Sequence, residues 1–196
     1  MNLIRNLAAT ALAAAAVCAI ALPTAAEEAY VAQVNNYVKG KVMSWAVDPA
    51  VIDAIKTQNA ANASLTQSDI DALDAKWKAE VEATDKPMIS ATLGNALSKF
   101  LADKKMAAGG LITEVFVVDN KGLNVGQSDA TSDYWQGDEA KFQKSFGAGA
   151  NAVFVDEVEK DESTQTLQSQ VSLTISDPAS GAPIGAMTLG IDVEKL

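Results

Sequence analysis

At Gly109-Gly110 the hydrophobic pattern of this chain changes period, which divides it into a helical part and a sheet part. Before the glycines, apolar residues recur every three or four positions. Val31, Val34, Val38, Val42 and Trp45 mark one amphipathic helix over Glu27–Trp45. Asp48-Pro49 reads as the N-cap and first position of a second helix that runs to about Asn59. After a polar loop, Thr66 with Asp69 three residues on forms a capping-box pair for a third helix. Its apolar face is Ile70, Leu73, Trp77 and Val81. A fourth helix is expected from about Met88 to Lys104, with Leu93, Leu97, Phe100 and Leu101 on one side. The glycine pair ends it.

Beyond the glycines the period falls to two. Ile112–Val118 is rich in β-branched residues and reads as a strand. Asp119-Asn120-Lys121-Gly122 supplies turn chemistry, and Leu123–Gln127 returns as a second strand. A polar loop (128–137) and a short helix over Glu139–Phe146 follow. Three more strands are expected at Ala152–Val158, Thr164–Ser176 and Ile184–Val193, with turns at Asp161-Glu162-Ser163 and Asp177–Gly181. Consecutive hairpins imply an antiparallel sheet, so the fold class is α+β with five antiparallel strands. Alternation in the first strand places Ile112, Phe116 and Val118 on one face and Val115 and Val117 on the other. Both faces are apolar, so both need cover, one by the N-terminal helices and the other by residues 128–150.

The same parity partitions the last two strands. Val171, Leu173 and Ile175 share one face with Met187, Leu189, Ile191 and Val193. The other face carries Gln168, Gln170, Ser172 and Thr174, with Ala186, Thr188, Gly190 and Asp192. The greasy face is expected to receive the long N-terminal helix. The small, polar face leaves room for a ligand beneath Tyr134 and Trp135.

Residues 1–26 read as a secretory signal peptide: Arg5, an apolar run from Leu7 to Leu22, Pro23, and small residues before Glu27. The run is shorter than the about 20 residues of a membrane span. Cleavage after Ala26 is expected, the alternative being an uncleaved anchor. Cys18 would leave with the signal, since Val17 does not suit a lipoprotein site. The mature chain would then hold no Cys and no His. Removing Arg5, the only charge before Glu27, takes the net charge from −10 to −11. Such a chain repels nucleic-acid backbones and anionic lipid.

These absences exclude most chemistry. Without His there is no Ser-His or Cys-His pair. Zinc and iron would lack their nitrogen and sulfur ligands. Asp119-Asn120-Lys121-Gly122 does not fit a calcium loop. The acidic run from Asp156 to Glu162 reads as a solvated hairpin end. No enzyme activity, cofactor or metal is expected.

Three stretches carry a resemblance: Val117-Val118-Asp119-Asn120-Lys121-Gly122, Ser132-Asp133-Tyr134-Trp135, and Ile184–Asp192. Together they resemble an extracytoplasmic Cache domain, the PAS-like sensor fold of bacterial receptors. The resemblance implies a signal peptide (1–26), then one Cache domain (27–196) made of a helical segment (27–110) and a PAS-like sheet region (111–196). It implies a periplasmic or secreted, stand-alone sensor module that captures a small polar metabolite and presents it to a membrane-bound receptor or kinase. It also implies a homodimer through the N-terminal helix. The Arg that amino-acid-sensing members carry before the aromatic pair is missing from Ala130-Thr131-Ser132-Asp133.

The ligand-binding residues expected from this reading are Asp133, Tyr134, Trp135, Lys141, Gln170, Thr188 and Asp192. Each has a plainer role open to it: Trp135 as a core plug, Asp133 as a helix cap, Lys141 as a solvated helix residue. The aromatic pair with its carboxylates suits a cationic amine, and Lys141 suits a carboxylate. The alternative is a structural or interaction domain whose pocket its own side chains fill.

Overall fold

The computed structural model describes residues 25–160 and 166–196, with side chains from Ala29 onward. Residues 1–24, with Cys18, and the turn at 161–163 lie outside the described residues. Helix α1 (Ala25–Tyr37) runs through a π-helical turn (Val38–Val42) into α2 (Met43–Ala46). This is the expected N-terminal helix with an irregularity at Gly40. Its buried residues are Val34, Val38, Val42 and Ala46. Steps of four over-rotate an α-helix by about 40° each, so a straight helix would swing this stripe off its partner. The wider π turn absorbs the drift and keeps all four residues inward.

Helix α3 (Pro49–Ala61) starts as read: the Asp48 side chain accepts a hydrogen bond from the Ala50 amide at 2.9 Å. Helix α4 (Gln67–Glu82) carries the reciprocal Thr66–Asp69 capping box. The helix expected over Met88–Lys104 is instead two, α5 (Pro87–Gly94) and α6 (Ala96–Ala107). Asn95 between them is extended, with φ −73° and ψ 167°. Its Oδ1 accepts from the Ser98 amide at 2.8 Å, and its Nδ2 donates to the Val125 carbonyl at 2.8 Å. The second bond ties the break to the sheet. Among the described residues no helix is long and apolar enough to cross a membrane.

The strands are β1 (Ile112–Asp119), β2 (Asn124–Gln127), β3 (Val153–Lys160), β4 (Leu167–Ser176) and β5 (Pro183–Asp192), all antiparallel, in the order β2-β1-β5-β4-β3. The last strand is therefore central. One face packs Val115, Val117, Val171, Leu173, Ile175, Met187, Leu189 and Ile191 against α1, the π turn, α3 and α6. Ile112 belongs to this face, not with Phe116 and Val118. A register shift between Ile112 and Glu114 reverses its parity.

The second face holds Phe116, Val118 and Ala186, covered by Phe142 and Phe146. The expected helix over Glu139–Phe146 shrinks to α7 (Ala140–Gln143), because Ser145 leaves helical geometry at φ −103°, ψ −86°. A 3-10 turn at Phe146–Ala148 completes the cover.

Candidate functional site

The Asp-x-x-Gly turn after β1 is organised by Asp119, whose side chain is fully buried. Its Oδ1 accepts from the Lys121 and Leu123 amides at 2.9 and 3.0 Å. Its Oδ2 accepts from Asn62 Nδ2 at 2.8 Å and Gln58 Nε2 at 3.1 Å. Four neutral donors thus hold the carboxylate, joining α3 to the β1–β2 turn. Gly122 takes φ 82°, and a Cβ there would stand 2.6 Å from the Gly137 backbone. The motif's glycine is required by this close approach.

Residues 131–136 fold back over that turn as a clasp. Asp74 Oδ1 on α4 accepts from the Tyr134 and Trp135 amides at 2.9 and 3.1 Å. Lys78 bridges Asp74 and Asp133, each at 2.7 Å. Burial opposes ionisation of Asp133, but hydrogen bonds from Lys78 and Ser132, with the charges of Lys78 and Lys141, hold its carboxyl below the usual range. Trp135 pairs with Leu123 and donates from its indole Nε1 to the Lys121 carbonyl at 2.8 Å. Tyr134 stacks on Trp77 with centroids 5.3 Å apart. Burial first, then the negative charge of Asp119, pushes the Tyr134 hydroxyl up to about 12. Tyr134 also lines a groove of about 580 Å³ between α3, the start of α6 and β2, on the helical side of the sheet.

The polar second face has a different character. Pairing places Gln127, Phe116, Thr188, Ser172 and Phe154 in one row across all five strands. Ser172 and Thr188 share a hydrogen bond at 2.8 Å. Lys141 lies above this row, its Nζ 5.3 Å from the centre of the Phe116 ring and 2.8 Å from Glu139. Several buried polar atoms here have no hydrogen-bond partner among the described residues: both amide atoms of Gln127, Oδ1 of Asn124 and Oγ1 of Thr174. Buried amides in native proteins are nearly always satisfied, by protein or by something held between.

The seven expected site residues therefore fall into four places. Asp133, Tyr134 and Trp135 belong to the clasp. Lys141 lies over Phe116, whose partner on β5 is Thr188. Gln170 bonds Glu114 at 2.8 Å over Gly190. Asp192 accepts from the Glu194 amide and pairs with Lys195 at 3.0 Å. It lies seven residues along β5 from Gly185, the partner of Asp119, which is about 23 Å from the clasp end of the sheet. Asp192 and the clasp are thus not one site. Gln127, Asp74 and Lys78 were not singled out in the sequence. Gln127 follows a bulge in the β1–β2 pairing, which hides its face. Asp74 and Lys78 act on residues some 60 positions away. Among the described residues no cluster of three or more His, Cys, Asp or Glu side chains suits a metal ion.

No protein-family model matches the chain, and no curated protein matches it. Among solved structures it is similar to the sensor domain of the Vibrio cholerae histidine kinase DctB, at 10% identity and TM-score 0.42, over 86% of this chain and 56% of that one. It is similar to the sensory domain of the Campylobacter jejuni chemoreceptor Tlp3 with isoleucine bound, at 13% identity and TM-score 0.40, over 85% and 63%. The Escherichia coli DcuS sensor domain matches at 16% identity and TM-score 0.38, over 64% and 92%. The chain thus spans less than two thirds of the length of the first two.

Proposed function

We propose that this chain is an exported, non-enzymatic sensor module, which captures a small polar metabolite and presents that state to a membrane-bound receptor or kinase. The ligand sits between the second face of the sheet and the cover formed by residues 139–148. Gln127, Thr188 and Lys141 contact it, while Asp133, Tyr134 and Trp135 hold the clasp beside it. One observation carries this reading: a fully buried amide at Gln127 that no described residue satisfies, in a layer that also holds hydroxyls and an ammonium. The signal-like residues 1–26 support export, with cleavage after Ala26. Pairing of two copies through α1 would use its outward side, since Val34, Val38 and Val42 are committed to the sheet.

The test is a thermal-shift screen of polar metabolites, paired with mass spectrometry of small molecules that co-purify. A ligand at 100 times its Kd adds about 2.7 kcal/mol, a shift of about 5 °C or more for a domain of this size. Gln127→Leu should abolish that shift while leaving the ligand-free melting point unchanged or higher, because it removes an unsatisfied buried amide. If Gln127→Leu melts well below the parent and no compound shifts either protein, the layer is filled by the chain itself. The stacked Phe142–Phe146 pair, 5.0 Å apart, favours that second reading, an interaction domain with a plugged interior.

A further inference from the structure

On the opposite side of the sheet, the groove beside Tyr134 has a chemistry of its own, independent of the layer proposed above. Its volume of about 580 Å³ falls within the range of small-molecule sites. Its apolar lining includes Ala54, Ala61, Ala96, Leu97 and Val125. Asp53, exposed on α3, is the one charged residue of the lining.

The amides of the lining are one-sided. Gln58 Nε2 is surrounded by three acceptors: Asp119 Oδ2, the Leu123 carbonyl at 3.3 Å and the Asn124 carbonyl at 3.2 Å. Asn62 Nδ2 is committed to Asp119. These partners fix which end of each amide is nitrogen. The oxygen ends of Gln58 and Asn62 make no hydrogen bond to any described residue, and both side chains are only partly buried. Both ends of Asn95 are used, on Ser98 and Val125. The amide donors therefore point away from the groove and the amide oxygens remain, beside the Thr57 and Tyr134 hydroxyls, which can accept as well as donate. The flanking lysines are engaged elsewhere, Lys56 with Asp177 at 3.0 Å and Lys121 with the Leu65 carbonyl at 3.1 Å. Among the described residues of the lining, an anion entering would meet the charge of Asp53 and no cation.

We infer that this groove binds a small organic cation, a primary ammonium carried on a short apolar body. The ammonium donates to Gln58 Oε1 and Asn62 Oδ1 beside the Tyr134 ring. The apolar body lies on Ala54, Ala96 and Val125, and Asp53 supplies the long-range attraction.

Titration of the full chain with pentylammonium, followed through ¹³C-methyl alanine resonances, tests this. Saturable shifts at Ala54, Ala61 and Ala96 are expected with pentylammonium and absent with pentanoate. Asp53→Asn, a surface change, should weaken binding by about threefold. Ala61→Trp, at another exposed position, should block the groove and remove the saturable shifts, leaving the Gln127-dependent thermal shift intact. Equal binding of pentanoate, shifts that persist in Ala61→Trp, or no saturation with pentylammonium would each overturn the assignment.

Discussion

Asp119 is the residue on which most of the β1–β2 end depends, and every partner it has is neutral. Asp119→Ala leaves the Asn62 amide and two backbone N–H groups without their acceptor and takes one of three acceptors from Gln58. The expected cost is on the order of 3 kcal/mol, read by urea unfolding; a loss below about 0.5 kcal/mol would show the turn holds without it. Tyr134 gives a pH signature. Its hydroxyl titrates near 10.0 when unfolded and at about 12 when folded. Its contribution is fully present below pH 10 and is lost as pH rises towards 12. Stability should fall over that window in the parent and stay flatter in Tyr134→Phe. A phenolate absorbance change centred near 10 in the folded protein would contradict the burial. The Asp119 and Gly122 pair was legible in the sequence as turn chemistry and family likeness. The role of Trp135 was not, because an indole beside a glycine pairs equally well with a cavity or a carbonyl. Only the placement of Lys121 and Gly137 decides it.

At the level of elements, local signals were read well and non-local ones poorly. The Thr66–Asp69 box and the Asp48-Pro49 start act within a single turn, so the sequence shows them directly. The break at Asn95 does not, because the apolar spacing continues across it and the decisive partner is Val125 on β2. Asn95→Ala should cost about 1–2 kcal/mol through the lost cap alone, more than Thr66→Ala at the exposed α4 start. Equal losses in the two variants would mean that the Val125 bond adds nothing. A comparable device starts α5, where Glu80 Oε2 accepts from the Met88 and Ile89 amides at 2.7 and 3.0 Å. Ile112 misled the parity count for the same reason as Gln127: a bulge reverses a period-two pattern, and a bulge is visible only once two strands are paired.

In the whole molecule the sheet is a shared wall between an apolar layer and a polar one. The partition of β4 and β5 into two faces was readable from alternation and governs where ligands can lie. Leu189 sits at the middle of the apolar layer, fully buried. Leu189→Ala should destabilise by about 2–5 kcal/mol without altering the order of ligand preferences at the second face. A change in those preferences would mean that the two layers are coupled through β5.

The strand order carries a last implication, about timing. The ten residues of β5 leave the ribosome after β1, β2, β3 and β4, yet both hairpins zip onto them. Until they arrive, β1 and β4 each present a bare edge, and the two halves of the wall have nothing to join them. The two halves of the sheet therefore join only once β5 has emerged.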